Sequence, residues 1–73
     1  MTRELDIKNE AQVEKINRLA CEAPYEVWLF TDNIMLDARS LLGLFALVGR
    51  RAQVVVEDYV SSRALDRLVA KMG

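Results

Sequence analysis

Residues 36–47 read Leu36-Asp37-Ala38-Arg39-Ser40-Leu41-Leu42-Gly43-Leu44-Phe45-Ala46-Leu47, and they divide at the serine. Before it, Ile34 to Arg39 is predicted as the second arm of a hairpin, with Asp32-Asn33 as its turn because both residues tolerate left-handed geometry. After it, Leu41 to Leu47 is too apolar for a loop and too short for a long helix. Ser40 is a good N-cap, so a short helix is predicted here, with Gly43 marking a place of close approach.

Upstream, Tyr25 to Thr31 is rich in aromatic and β-branched residues and supplies the first arm of the hairpin. Pro24 closes a helix predicted from Glu10 to Glu22, because a residue before proline is pushed out of the helical region. Asn9 caps that helix, and Gln12 stands where it can reach back in a capping box. Val13, Ile16, Ala20 and Ala23 follow at helical spacing, with Glu14, Lys15 and Arg18 on the other side. Leu5 and Ile7 alternate with Glu4, Asp6 and Lys8, as on a strand with one buried face. Downstream, Gly49-Arg50-Arg51 reads as a polar connection and Ala52 to Glu57 as a buried strand. Ser61 or Ser62 caps a last helix in which Leu65, Leu68, Val69 and Met72 recur at i, i+3, i+4 and i+7. The order strand, helix, strand, strand, short helix, strand, helix predicts one α+β domain over residues 1–73, two layers with helices on one sheet face.

Composition narrows the chemistry. Ten Lys and Arg against eleven Asp and Glu give a net charge of −1, which makes no electrostatic case for nucleic acid. No apolar run approaches the roughly 20 residues that span a bilayer, and the N-terminal residues lack the apolar core of a signal peptide. A soluble cytoplasmic protein is expected. The chain has one cysteine and no histidine, which leaves no ligand set for structural zinc and no imidazole to carry a phosphoryl group. No metal and no cofactor are expected.

Nucleophile–base pairs are equally scarce. Cys21 lies beside Glu22, which disfavours a thiolate, and reads as incidental. The carboxylates are scattered and the three glycines dispersed, so neither acid–base work nor a phosphate loop is indicated. No catalytic residue is expected. Ser40 stands apart. Helix capping alone would explain it, and a phosphorylation site at a helix start is compatible with that role.

The stretch Leu36 to Leu47 resembles the regulatory-serine region of HPr, the small phosphocarrier of the bacterial sugar phosphotransferase system. That family carries Lys-Ser followed by apolar residues and often a glycine; here Arg39 replaces the lysine, while Ser40 and Gly43 match. The order of elements agrees along essentially the whole chain. The resemblance implies an open-faced sandwich in which a four-stranded antiparallel sheet of order 1-4-2-3 is covered on one face by helices.

One departure cuts deeper than the match. HPr proteins place a phosphohistidine in a Gly-Ile-His-Ala-Arg-Pro-like segment between the first strand and helix, where this sequence has Lys8-Asn9-Glu10-Ala11-Gln12. Phosphoryl transfer from the upstream kinase to a sugar transporter should therefore fail. What the resemblance implies instead is a histidine-less regulatory or adaptor protein. In the family the serine is the target of an HPr kinase/phosphorylase, and the modified protein binds a transcriptional regulator. Carried over, Ser40 is the modified residue, with Arg39, Leu41, Leu42 and Phe45 as a docking patch beside it. Ordinary core packing competes for the three apolar residues, and a short helix cannot turn all of them inward.

A second feature lies on the first hairpin arm. If Val27 and Leu29 face the helices, Trp28 and Phe30 face the open side of the sheet, joined there by Met35 and Val55. Such a patch suggests a partner surface or a homodimer, with cross-strand pairing as the plain alternative. The competing function is thus a structural interaction domain that self-associates and is not phosphorylated. A carrier using Cys21 or Glu10 as acceptor is disfavoured, since Cys21 lies well away from the missing histidine's position.

Overall fold

A computed structural model describes residues 1–73. The elements are β1 (Thr2–Asp6), α1 (Glu10–Glu22), β2 (Trp28–Thr31), β3 (Ile34–Asp37), α2 (Leu41–Phe45), β4 (Arg51–Val55) and α3 (Ser62–Met72). The four strands form one antiparallel sheet of order β1-β4-β2-β3, the order the resemblance implies. Seventeen buried apolar residues make a single cluster between the sheet and the helices, with Val13 and Ile16 of α1, Leu29 of β2, Val54 of β4 and Leu65 of α3 fully enclosed.

Local chemistry accounts for the boundaries. The Asn9 side chain accepts the Gln12 N–H at 2.9 Å and starts α1. Gln12 does reach back, but its Oε1 accepts the Lys8 N–H at 2.8 Å, one residue beyond the usual capping-box partner. Its Nε2 explains the overshoot, since it donates to the Asp6 carbonyl at 2.8 Å and the Met72 carbonyl at 3.1 Å. Asp32 and Asn33 have φ of +48° and +66°, the left-handed pair that a two-residue hairpin turn requires. Gly49, at φ +88°, is the third left-handed position, and its N–H donates to the Ile7 carbonyl at 2.7 Å.

Several boundaries differ from the sequence reading. β2 starts at Trp28 rather than Tyr25, because its pairing with β4 ends at Trp28↔Val55. β3 ends at Asp37 rather than Arg39: the Asp37 carboxylate accepts the Arg39 N–H at 2.9 Å and its carbonyl accepts the Ser40 N–H at 2.9 Å, which turns the chain. Arg51 belongs to β4 rather than to the connection, because it pairs with Asp6 in the ladder and its guanidinium bonds the Asp6 carboxylate at 2.8 Å. Val56 and Glu57 lie beyond that strand. α2 ends at Phe45, and tighter i to i−3 bonds carry the chain through Ala46 and Leu47.

Candidate functional site

Ser40 occupies the N-cap position of α2, yet its hydroxyl makes no capping bond. This corrects the capping role expected from the sequence. With ψ at 94°, Ser40 departs from the geometry of Ser61, where ψ is 150° and the hydroxyl accepts the Ala64 N–H at 3.1 Å. Ser40 Oγ instead lies over Gly43, 3.4 Å from where a Cβ on that glycine would stand. Gly43 is likewise not forced by close approach: its nearest other neighbour, Leu36, would meet that Cβ at 3.4 Å, an ordinary contact.

The residues around Ser40 separate by burial. Leu44 and Leu47 anchor α2 in the core, while Leu42 is 85% exposed and Leu41 is 38% exposed. Phe45 is half-buried and packs against the core, so it belongs only partly to any surface there. Arg39 is exposed, but its guanidinium is occupied: Nη2 bonds Asp37 Oδ2 at 2.8 Å and Glu26 Oε1 at 3.4 Å. The hydrogen bond from the Arg39 side chain, with a second from its backbone N–H, holds the Asp37 carboxyl below the usual carboxylate range.

The strand registers place the second patch. Val55, Trp28 and Asp37 share one row of the uncovered sheet face, and Gln53, Phe30 and Met35 share the next. Phe30 and Met35 are exposed there, whereas Trp28 and Val55 are half-buried. Ile34, which the sequence reading did not single out, is also exposed, as is Tyr59. Alternation assigns Ile34 to the helix side; only its place at the turn end of β3 leaves it uncovered.

At the β1–α1 junction the polar side chains are spent on structure. Asn9 caps α1, and Gln12, itself buried, bonds three backbone groups. Cys21 is free and exposed. No group of three His, Cys, Asp or Glu side chains is placed to hold a metal, and no helix is long and apolar enough to cross a membrane.

No family model and no curated protein matches the sequence. Among solved structures, the chain is similar to an HPr-C-His from Thermoanaerobacter tengcongensis, with a TM-score of 0.76 and 20% identity, over 99% of this chain and 90% of that one. It is similar also to the phosphocarrier protein HPr of Bacillus anthracis, with a TM-score of 0.73 and 15% identity, over 97% of this chain and 94% of that one. Identities this low speak for fold rather than chemistry. With the sheet order β1-β4-β2-β3 and the helices on one face, these likenesses establish that the chain has the HPr-like fold.

Proposed function

We propose that the chain is a non-catalytic regulatory or adaptor protein related to the phosphotransferase system, modified at Ser40. The observation that carries this reading is the Ser40 hydroxyl, exposed and free of the capping bond that Asn9 and Ser61 make at the other two helices. A kinase acting on it need not break a helix cap. The modification would add about −1.5 to −2 charges next to two exposed leucines, Leu41 and Leu42. A partner reading both features would offer Arg or Lys to the phosphate and an apolar pocket to Leu42. Arg39, already held by Asp37 and Glu26, offers no free cation to the partner. With no histidine in these residues, and Asn9 used as a cap, the β1–α1 junction offers no imidazole for a carrier step.

By the resemblance, the modifying enzyme is an HPr kinase/phosphorylase and the reader a transcriptional regulator or another phosphotransferase-system protein, all in the cytoplasm. Incubation with such a kinase and ATP, followed by peptide mass spectrometry, should find one phosphate on Ser40 and none in Ser40→Ala. An unmodified Ser40 in a correctly folded protein would overturn the switch. The exposed apolar side chains of Phe30 and Met35, in line with Trp28 and Val55, favour a second reading: an interaction domain of the same fold that self-associates without phosphorylation.

A further inference from the structure

We infer that two copies of the chain join through their β3 edges, with Met35 opposite Met35 of the second copy, into one continuous eight-stranded sheet. The inference deepens the second reading above and holds whether or not Ser40 is modified.

The two edges of the sheet are built differently. β1 carries Arg3, Glu4 and Asp6, and the charges are tied down: Arg3 to Asp66 at 2.8 Å, Arg51 to Asp6 at 2.8 Å and to Glu4 at 3.4 Å. Charge of this kind is how sheets discourage further pairing. β3 reads Ile34-Met35-Leu36-Asp37, with no lysine, no proline and no charge before its last residue. Ile34 is 52% exposed and Met35 54% exposed.

Backbone geometry then selects one register. The two-residue turn makes Thr31↔Ile34 a hydrogen-bonded pair. Along an antiparallel ladder such pairs alternate, so Leu29↔Leu36 is the next, and the Ala38 N–H to Val27 carbonyl bond of 2.9 Å continues the series. The N–H and C=O of Met35 therefore point away from β2, toward the open edge. A two-fold pairing of identical antiparallel strands sets one residue against itself. Asp37 cannot serve, because its carbonyl already accepts the Ser40 N–H and two carboxylates would face each other; a centre at Leu36 sets Met35 against that same occupied carbonyl, and one at Ile34 sets it against the left-handed turn residue Asn33. Met35 can: each N–H donates to the other copy's Met35 carbonyl.

The side chains agree with that register. On the open face the row Phe30–Met35 continues into Met35 and Phe30 of the second copy, a sulfur–aromatic band. On the helix side Ile34 falls opposite Leu36 of the second copy. The alternative of two open faces stacked on each other uses none of the unpaired β3 backbone.

Sedimentation equilibrium between about 1 µM and about 1 mM, the span in which a small interface titrates, tests association together with amide exchange at Met35. The expected result is a mass rising from 8.3 kDa toward twice that, with Met35 N–H protection growing in step. Met35→Lys should abolish the rise while leaving the circular dichroism spectrum unchanged, and Thr2→Lys on the opposite edge should leave it intact. A monomer throughout overturns this inference and the second reading alike. A dimer that forms without protecting Met35, or that survives Met35→Lys, overturns the β3 pairing alone and leaves self-association standing.

Discussion

Ser61 and Ser40 hold the same position, one residue before a helix, and both have extended backbones; only Ser61 uses its hydroxyl there. α3 runs for 11 residues and its first turn is fastened by that 3.1 Å bond. The five residues of α2 are fastened elsewhere: by Leu44 in the core, and by Asp37, which accepts both the Arg39 and Ser40 N–H groups just upstream. The aspartate turn leads the chain into α2 without using the Ser40 hydroxyl. The pair separates a serine that maintains the fold from one that is free for something else.

The largest test of this contrast lies at the third cap, where Asn9 and Gln12 work together. Gln12→Leu removes three hydrogen bonds from a buried side chain and should cost about 2–4 kcal/mol in chemical denaturation. Ser61→Ala should cost about 1 kcal/mol by the same measurement.

Acid should find the aspartate turn. The Asp37 carboxyl titrates below its ordinary value in the folded chain, so its contribution is present above the unfolded value of about 3.9 and lost as pH falls through the lower folded one. Denaturation between neutral pH and pH 3 should show a loss on the acid side that is smaller in Asp37→Asn. Because the pair is exposed, the difference should stay below about 1 kcal/mol.

Gly43→Ala should stabilise the chain by about 0.5 kcal/mol through helix propensity, since the new methyl meets Leu36 and Ser40 Oγ only at ordinary contact distance. Smallest of all, Ser40→Ala should stay within about 0.5 kcal/mol of the parent. A loss as large as that of Ser61→Ala would mean the Ser40 hydroxyl is structural after all.

What the sequence disclosed followed how local each cause was. Asn9, Gln12 and Pro24 bound α1 at Glu10–Glu22 by interactions within a few residues, and Asp32-Asn33 marked its turn the same way. The start of β2 at Trp28 depends on where β4 stops, and the assignment of Arg51 to β4 depends on carboxylates on β1, so neither could be read from neighbouring residues. At the candidate site the serine and its exposed leucines were legible from the motif. The missing cap bond was not, because Ser40 satisfies every compositional rule for capping and loses the bond only to its backbone angle. Ile34 escaped notice because alternation gives a residue's face and says nothing of how far the helix layer extends over it.

Gln12 ties together parts of the chain that meet only at the end of folding. Its Nε2 bond to Met72 spans 60 positions, while its bonds to Lys8 and Asp6 are local. With α3 undocked, that buried amide is left short of a partner, at a cost of about 1–3 kcal/mol. Release of the last turn of α3 should therefore loosen the first turn of α1. Deuterium exchange at the Lys8 amide should accordingly quicken in variants that fray the far end of the chain.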